Sequence, residues 1–192
     1  MASTLQDTTK PRPARGFVAF KWCVYAILAV DVVLYARFGR ATELIDTAAW
    51  WLLLLLFEWE TGGWRLPPRI RPALHGLRAV CAIAIAIAVA GYAIEREWLD
   101  FANESTWLAV IALLELEVRL PATAARLHRW RRRVTVLLYI VLAGFLGVWT
   151  TDIFTGDDAG AAALDAWDAM WWLVAFLAIE LNVFGVGRPR RA

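Results

Sequence analysis

Three glutamates recur in this chain at one place in a repeated pattern: tryptophan, seven residues, glutamate, any residue, then glutamate or asparagine. The pattern reads WWLLLLLFEWE from Trp50, WLAVIALLELE from Trp107 and WLVAFLAIELN from Trp172, which marks Glu58, Glu115 and Glu180. A carboxylate within an apolar run can take up a proton or a cation, or can close an ion pair with a neighbouring helix. Residues two apart lie roughly 200° apart around a helix, so Glu58 and Glu60 face different ways, as do Glu115 and Glu117. Asn182 takes the second position in the third copy, so the first glutamate is the repeated one.

These acids belong to a longer repeat. A shift of 57 residues lays Lys21 on Arg78, Tyr35 on Tyr92, Asp46 on Asn103, Trp50 on Trp107, Glu58 on Glu115 and Glu60 on Glu117 without a gap. A third copy, with a longer middle loop, carries Arg133, Trp172, Glu180 and Asn182. Each copy reads as a helical hairpin. First helices are expected over Phe17 to Ala36, Leu74 to Ile94 and Val134 to Ile153, each near the roughly 20 apolar residues that cross a bilayer. The second helices have shorter apolar runs: Ala48 to Phe57, Thr106 to Leu114 and Ala169 to Ile179. They reach spanning length only with the flanking acid and the residues after it.

At 60% hydrophobic residues and a mean hydropathy of +0.53, the chain is too apolar for an ordinary soluble domain. The expected fold is an all-α integral membrane protein with six transmembrane helices in three tandem hairpins and a pseudo-threefold internal repeat. Residues 1–15 are expected as a disordered cytoplasmic tail, 16–66, 67–123 and 124–187 as the hairpins, and 188–192 as a basic tail.

The charges are sorted by loop. Arg65, Arg69, Arg71 and Arg78 follow the first hairpin, Arg119 and Arg126 to Arg133 the second, and Arg188, Arg190 and Arg191 the third. The opposite loops hold Glu43 and Asp46, then Glu95, Glu97, Asp100 and Glu104, then Asp152, Asp157, Asp158, Asp165 and Asp168. Basic loops stay cytoplasmic, so both termini are expected inside, in the plasma (inner) membrane of a bacterial cell. The RLHRWRRR stretch from Arg126 suits anionic lipid headgroups; nucleic acid is not an expected partner. The twelve tryptophans sit near the ends of the spans, as two interfacial belts or, in part, as a ligand cage.

This orientation puts Glu58, Glu115 and Glu180 in the cytoplasmic leaflet, near a helix C-terminus that disfavours negative charge. Two readings address that cost. Lys21, Arg78 and Arg133 begin the first helices at a similar depth, and the pairs Lys21–Glu58, Arg78–Glu115 and Arg133–Glu180 are candidates for fixing hairpin register. Alternatively, the three acids converge on a central path for a proton or cation. Asp31, the only acid deep in a first helix, breaks the repeat because Ala88 matches it. It is a candidate for a hydrogen bond to a neighbouring helix, a reach toward Arg37, or a titrating group in the outer half.

Cys23 and Cys81 read as small buried hydrophobes, and His75 and His128 lack helical metal-ligand spacing. No metal, cofactor or catalytic residue is assigned: the chain has no Walker loop, nucleophile elbow or dinucleotide fingerprint. Every proline lies in the tail or an inner loop, so no proline breaks a span at mid-membrane as transporters often need. The expected function is non-enzymatic: an accessory, scaffold or regulatory subunit that packs against other membrane proteins or its own copies. The alternative is a small proton- or cation-conducting protein using Glu58, Glu115 and Glu180.

Overall fold

The computed structural model describes residues 15–61, 67, 69–121 and 123–183. They form six α-helices: α1 Arg15–Phe38, α2 Ala41–Thr61, α3 Arg71–Glu95, α4 Trp98–Arg119, α5 Ala125–Thr155 and α6 Ala159–Val183. Four of them, α1, α3, α5 and α6, are long and apolar enough to cross a membrane. The helices α2 and α4 have the length, at 21 and 22 residues, but carry acids at both ends.

The second helix of each pair begins earlier than its apolar run suggests. They start at Ala41, Trp98 and Ala159, and only residues 39–40, 96–97 and 156–158 remain as loops. Of the acids expected in outer loops, Glu43, Asp46, Asp100, Glu104, Asp165 and Asp168 therefore lie in the early turns of α2, α4 and α6, whereas Glu95 ends α3, Asp152 lies in α5, and Glu97, Asp157 and Asp158 stay in the loops. A helix N-terminus favours negative charge in its first turn, where Glu43 of α2 and Asp100 of α4 lie. Arg96 makes the α3–α4 reversal possible in two residues: it adopts the left-handed region (φ 64°) and donates its N–H to the Tyr92 carbonyl. At the other end of α3, Pro72 occupies the first turn, where its missing N–H costs no hydrogen bond.

Each helix packs on its chain neighbours, and α1 also meets α6, so the six close into a ring in chain order. We call the end with the three tight loops the hairpin end and the opposite end the terminal end. Leu28, Ile85 and Leu142, spaced 57 residues apart, are 0%, 3% and 1% exposed. One helical face further on, Tyr35, Tyr92 and Trp149 keep the same spacing and are also buried. The middle of the ring is filled by Leu28, Leu54, Val110, Leu142, Trp107 and Trp172, among others. The outer surface is apolar, with Val80, Ile83, Ile87 and Ile94 on α3 and Leu137 and Ile140 on α5 exposed. Helix α2 approaches α3 closely at Gly91, where an added Cβ would meet the Thr42 methyl at 2.9 Å. Cys81 is buried as expected, whereas Cys23 is exposed on α1.

Candidate functional site

At the hairpin end, the opening turns of α2, α4 and α6 each bring two polar side chains to one helix face. Asp46, Asn103 and Asp168 lie four residues before Trp50, Trp107 and Trp172; Glu43, Asp100 and Asp165 lie seven before. Positions four and seven apart share a helix face. Trp107 and Trp172 are buried toward the ring interior, and the acids turn inward with them.

The result is a cavity of about 580 Å³, a volume that includes space open to solvent. Its acidic wall is made by Glu43, Asp46, Asp100, Glu104, Asp165 and Asp168. Its aromatic wall is made by Trp50, Trp107, Trp149, Trp172 and Phe176, with Tyr35 and Tyr92. Asp31 lies behind this wall, fully buried; Glu104 and Asp46 are 4% and 8% exposed.

The donors that meet these acids are neutral. Tyr35 donates its hydroxyl to Asp165 Oδ1 at 2.9 Å, and Tyr92 donates to Asp46 Oδ2 at 3.1 Å. Trp50 donates its indole N–H to Glu104 Oε1 at 2.5 Å. Two carboxyl pairs complete the cluster: Asp31 lies within hydrogen-bonding reach of Asp168, and Asp46 within reach of Glu104. Ionised carboxylates only accept hydrogen bonds. Both oxygens of Asp31, Oδ1 of Asp46 and Oδ1 of Asp168 are buried without a donor.

Positive charge stops at the rim. Arg40, in the α1–α2 loop, contacts Glu43, Glu97 and Asp100 at 2.5, 2.5 and 3.1 Å, and Glu95 at 3.7 Å. Burial disfavours its charge, but the bonds to Glu43 and Glu97 outweigh this and hold its pKa above the ordinary arginine value. Among the described residues, no ion pair reaches Asp31, Asp46, Glu104, Asp165 or Asp168.

The terminal end is built differently. Lys21 closes on Glu58 at 2.5 Å, as expected, and Tyr25 donates to the same carboxylate at 3.4 Å. Arg78 takes Glu60, at 2.7 Å, and not Glu115. Glu115 is 58% exposed and pairs at 2.6 Å with Arg119, one turn along its own helix. Glu117 is held by Arg131 and His128, at 2.5 and 2.9 Å. The Glu180 side chain lies outside the described residues, and so does its expected pairing with Arg133, which is exposed on α5. Glu58 and Glu115 thus each close on a cation of their own. Asp31 faces Asp168 rather than Arg37.

Asp46, Glu104, Asp165 and Asp168 read as loop charges in the sequence. The signal that marks Asp46, Asp165 and Asp168 is the recurrence of acid or asparagine four and seven residues before each repeated tryptophan; Glu104, three residues before Trp107, lies outside it. Among the described residues, no group of three or more His, Cys, Asp or Glu side chains is placed to hold a metal ion. The arrangement can bind a proton or a cation between buried carboxyls. No protein-family model matches this chain, and no curated protein or solved structure matches it.

Proposed function

We propose that this protein crosses a bacterial plasma membrane six times, with both termini cytoplasmic, and takes a proton or small monovalent cation from the outer face into the vestibule at the hairpin end. The helices α2 and α4 can cross with the other four because many of their acids turn into the ring or pair near its ends, away from lipid. The arginines of the terminal end, including Arg69, Arg71, Arg126 and Arg129, favour the cytoplasmic side and suit anionic headgroups. The common burial of positions 57 residues apart supports three repeated hairpins.

The observation that carries the functional reading is the unmet charge of the vestibule. Each buried carboxylate costs several kcal/mol in lost hydration unless a counter-charge offsets it. Here the partners of Asp46, Glu104 and Asp165 are tyrosine and tryptophan, and Asp31 and Asp168 face each other. A proton or cation between the carboxyls supplies what the chain does not. Three residues further from the hairpin end than Asp31 and Trp107, respectively, Leu28 and Val110, both 0% exposed, close the interior. A cation taken up at the outer face therefore has to pass this apolar constriction to reach the cytoplasmic side. A purely scaffolding role leaves these acids unexplained, and the apolar outer faces are the surface that lipid covers.

Equilibrium binding of rubidium and sodium to the detergent-purified protein tests this reading. Saturable binding that is lost in the Asp46→Asn/Asp168→Asn variant, with the helical content unchanged, is the expected result. No binding of either ion, together with no dependence of cation flux on these residues, overturns it.

A further inference from the structure

The vestibule has two kinds of wall, and only one of them suits a bare metal ion. Hard cations are held by shells of oxygen ligands, yet no three acids of the described residues converge in that way. The other wall is aromatic. Trp107 and Phe176 lie tilted against each other with ring centroids 4.7 Å apart, Phe176 meets Trp172 at 6.1 Å, and Trp172 meets Trp50 edge-on at 6.3 Å. Trp149 faces the same space from α5. The ring quadrupole attracts a cation placed over its face, more strongly as the site is dried. Aromatic walls beside a carboxylate are how proteins hold ammonium ions that carry methyl or alkyl groups.

A second observation points to a ligand independently of the acidic cluster. Asp46 is more than nine-tenths buried and lines the cavity, and its Oδ1 has no donor. Its other oxygen accepts from Tyr92, and the Glu104 carboxyl within its reach supplies no donor when ionised. The neighbouring carboxylate, Glu104, is fixed in turn by the Trp50 indole. That bond ties one aromatic wall to one acidic wall. Arg40 occupies Glu43 and Asp100 at the rim with its own delocalised organic cation, which leaves the deeper acids for a second one.

Building on the proposed cation site, we infer that the vestibule ligand is a small organic ammonium ion, held by Asp46 and Asp168 against Trp50, Trp149 and Trp172. The aromatic residues then serve the ligand as well as the fold. Alkylation of the ammonium keeps the charge that Asp46 and Asp168 meet and adds methyl groups that pack on the tryptophan faces, so affinity is expected to rise from sodium to methylammonium to tetramethylammonium.

The test is a tryptophan-fluorescence titration of the full-length protein with tetramethylammonium chloride and with sodium chloride, at constant ionic strength. A saturable change that favours tetramethylammonium by about tenfold or more, and that weakens by a similar factor in Trp149→Leu and in Asp46→Asn, supports the assignment. The conservative Trp149→Phe variant should retain part of the preference, which separates loss of the site from loss of the fold. Equal titrations in discs of phosphatidylglycerol and phosphatidylcholine assign the site to a soluble ammonium ion. A site already filled in phosphatidylcholine assigns it to that lipid's headgroup. Saturable binding of sodium or rubidium with no preference for tetramethylammonium overturns the organic ligand and leaves the cation site standing. Tetramethylammonium binding unaffected by Asp46→Asn/Asp168→Asn places the ligand elsewhere and overturns the assignment. Binding of none of the three ions overturns both.

Discussion

Asp31 on α1 and Asp168 on α6 meet carboxyl to carboxyl across the seam where the helical ring closes. Two ionised groups in such contact repel: at about 4 Å and an effective dielectric of about 20, the cost is about 4 kcal/mol. In the proposed function, a proton or a larger cation between the two carboxyls offsets this cost, which would link closure to ligand uptake.

Replacing one member of the pair by an amide removes the repulsion and supplies a donor. Asp168→Asn is expected to stabilise the protein by roughly 1 kcal/mol, the worth of a typical hydrogen bond, while weakening cation binding. Thermal unfolding in detergent reads the first effect. A lower melting temperature in the absence of ligand would count against unmet charge at the seam.

The Lys21–Glu58 pair at the terminal end should behave in the opposite way. Its side chains are 18% and 14% exposed, and Tyr25 also leans on the carboxylate. Lys21→Met leaves Glu58 partly buried and without its main partner, at a cost on the order of 2 kcal/mol, below the range for fully buried pairs. Lys21→Met/Glu58→Gln should recover most of that loss. Denaturant or thermal unfolding of the two single variants and the double variant gives the coupling, and additive losses would show that the pair contributes nothing.

Arg40 gathers the rim acids of α2, α4 and the α3–α4 loop. Arg40→Gln releases their charge toward the mouth of the vestibule, so cation affinity at low salt should rise several-fold. Added salt should erase the gain, because exposed charges are screened over about 10 Å at 0.1 M. Titrations at two ionic strengths check this; a gain that survives high salt would require another cause.

Gly91 marks the closest approach of α2 and α3. Its added Cβ would meet Thr42, whose hydroxyl donates to Glu95 at 2.7 Å. Gly91→Ala is expected to cost about 1–3 kcal/mol through overpacking. Pairing it with Thr42→Ser, which removes the obstructing methyl, should restore much of the loss in a thermal melt.

The first helices of the hairpins were legible because long apolar runs with basic starts leave few alternatives. Helices α2 and α4 were legible as elements but not in extent. Hydropathy places their beginnings at Ala48 and Thr106, whereas the chain turns within two residues and the helices begin at Ala41 and Trp98. That shift of about two turns carries Asp46 and Glu104 from supposed loops into the ring interior and Asp100 to its rim. The repeated glutamates drew attention because they interrupt apolar runs, yet Glu58 is satisfied by Lys21 and Glu115 by Arg119. Acids beside a predicted loop look solvated whether or not they are. Only the spacing from Asp46 to Trp50 and from Asp168 to Trp172, read as one helix face, separates the two cases. Pairings across the ring, such as Tyr35 with Asp165, depend on closure of α1 on α6, which no local pattern encodes.

The most direct measurement is proton and monovalent-cation flux in proteoliposomes at matched, folded incorporation. It compares the natural chain with Asp46→Asn/Asp168→Asn in the vestibule and Glu115→Gln at the terminal end. Flux is expected in the natural chain, lost in the vestibule variant and kept in Glu115→Gln. Flux that survives in the vestibule variant and vanishes in Glu115→Gln would contradict the account and return the path to the repeated glutamates.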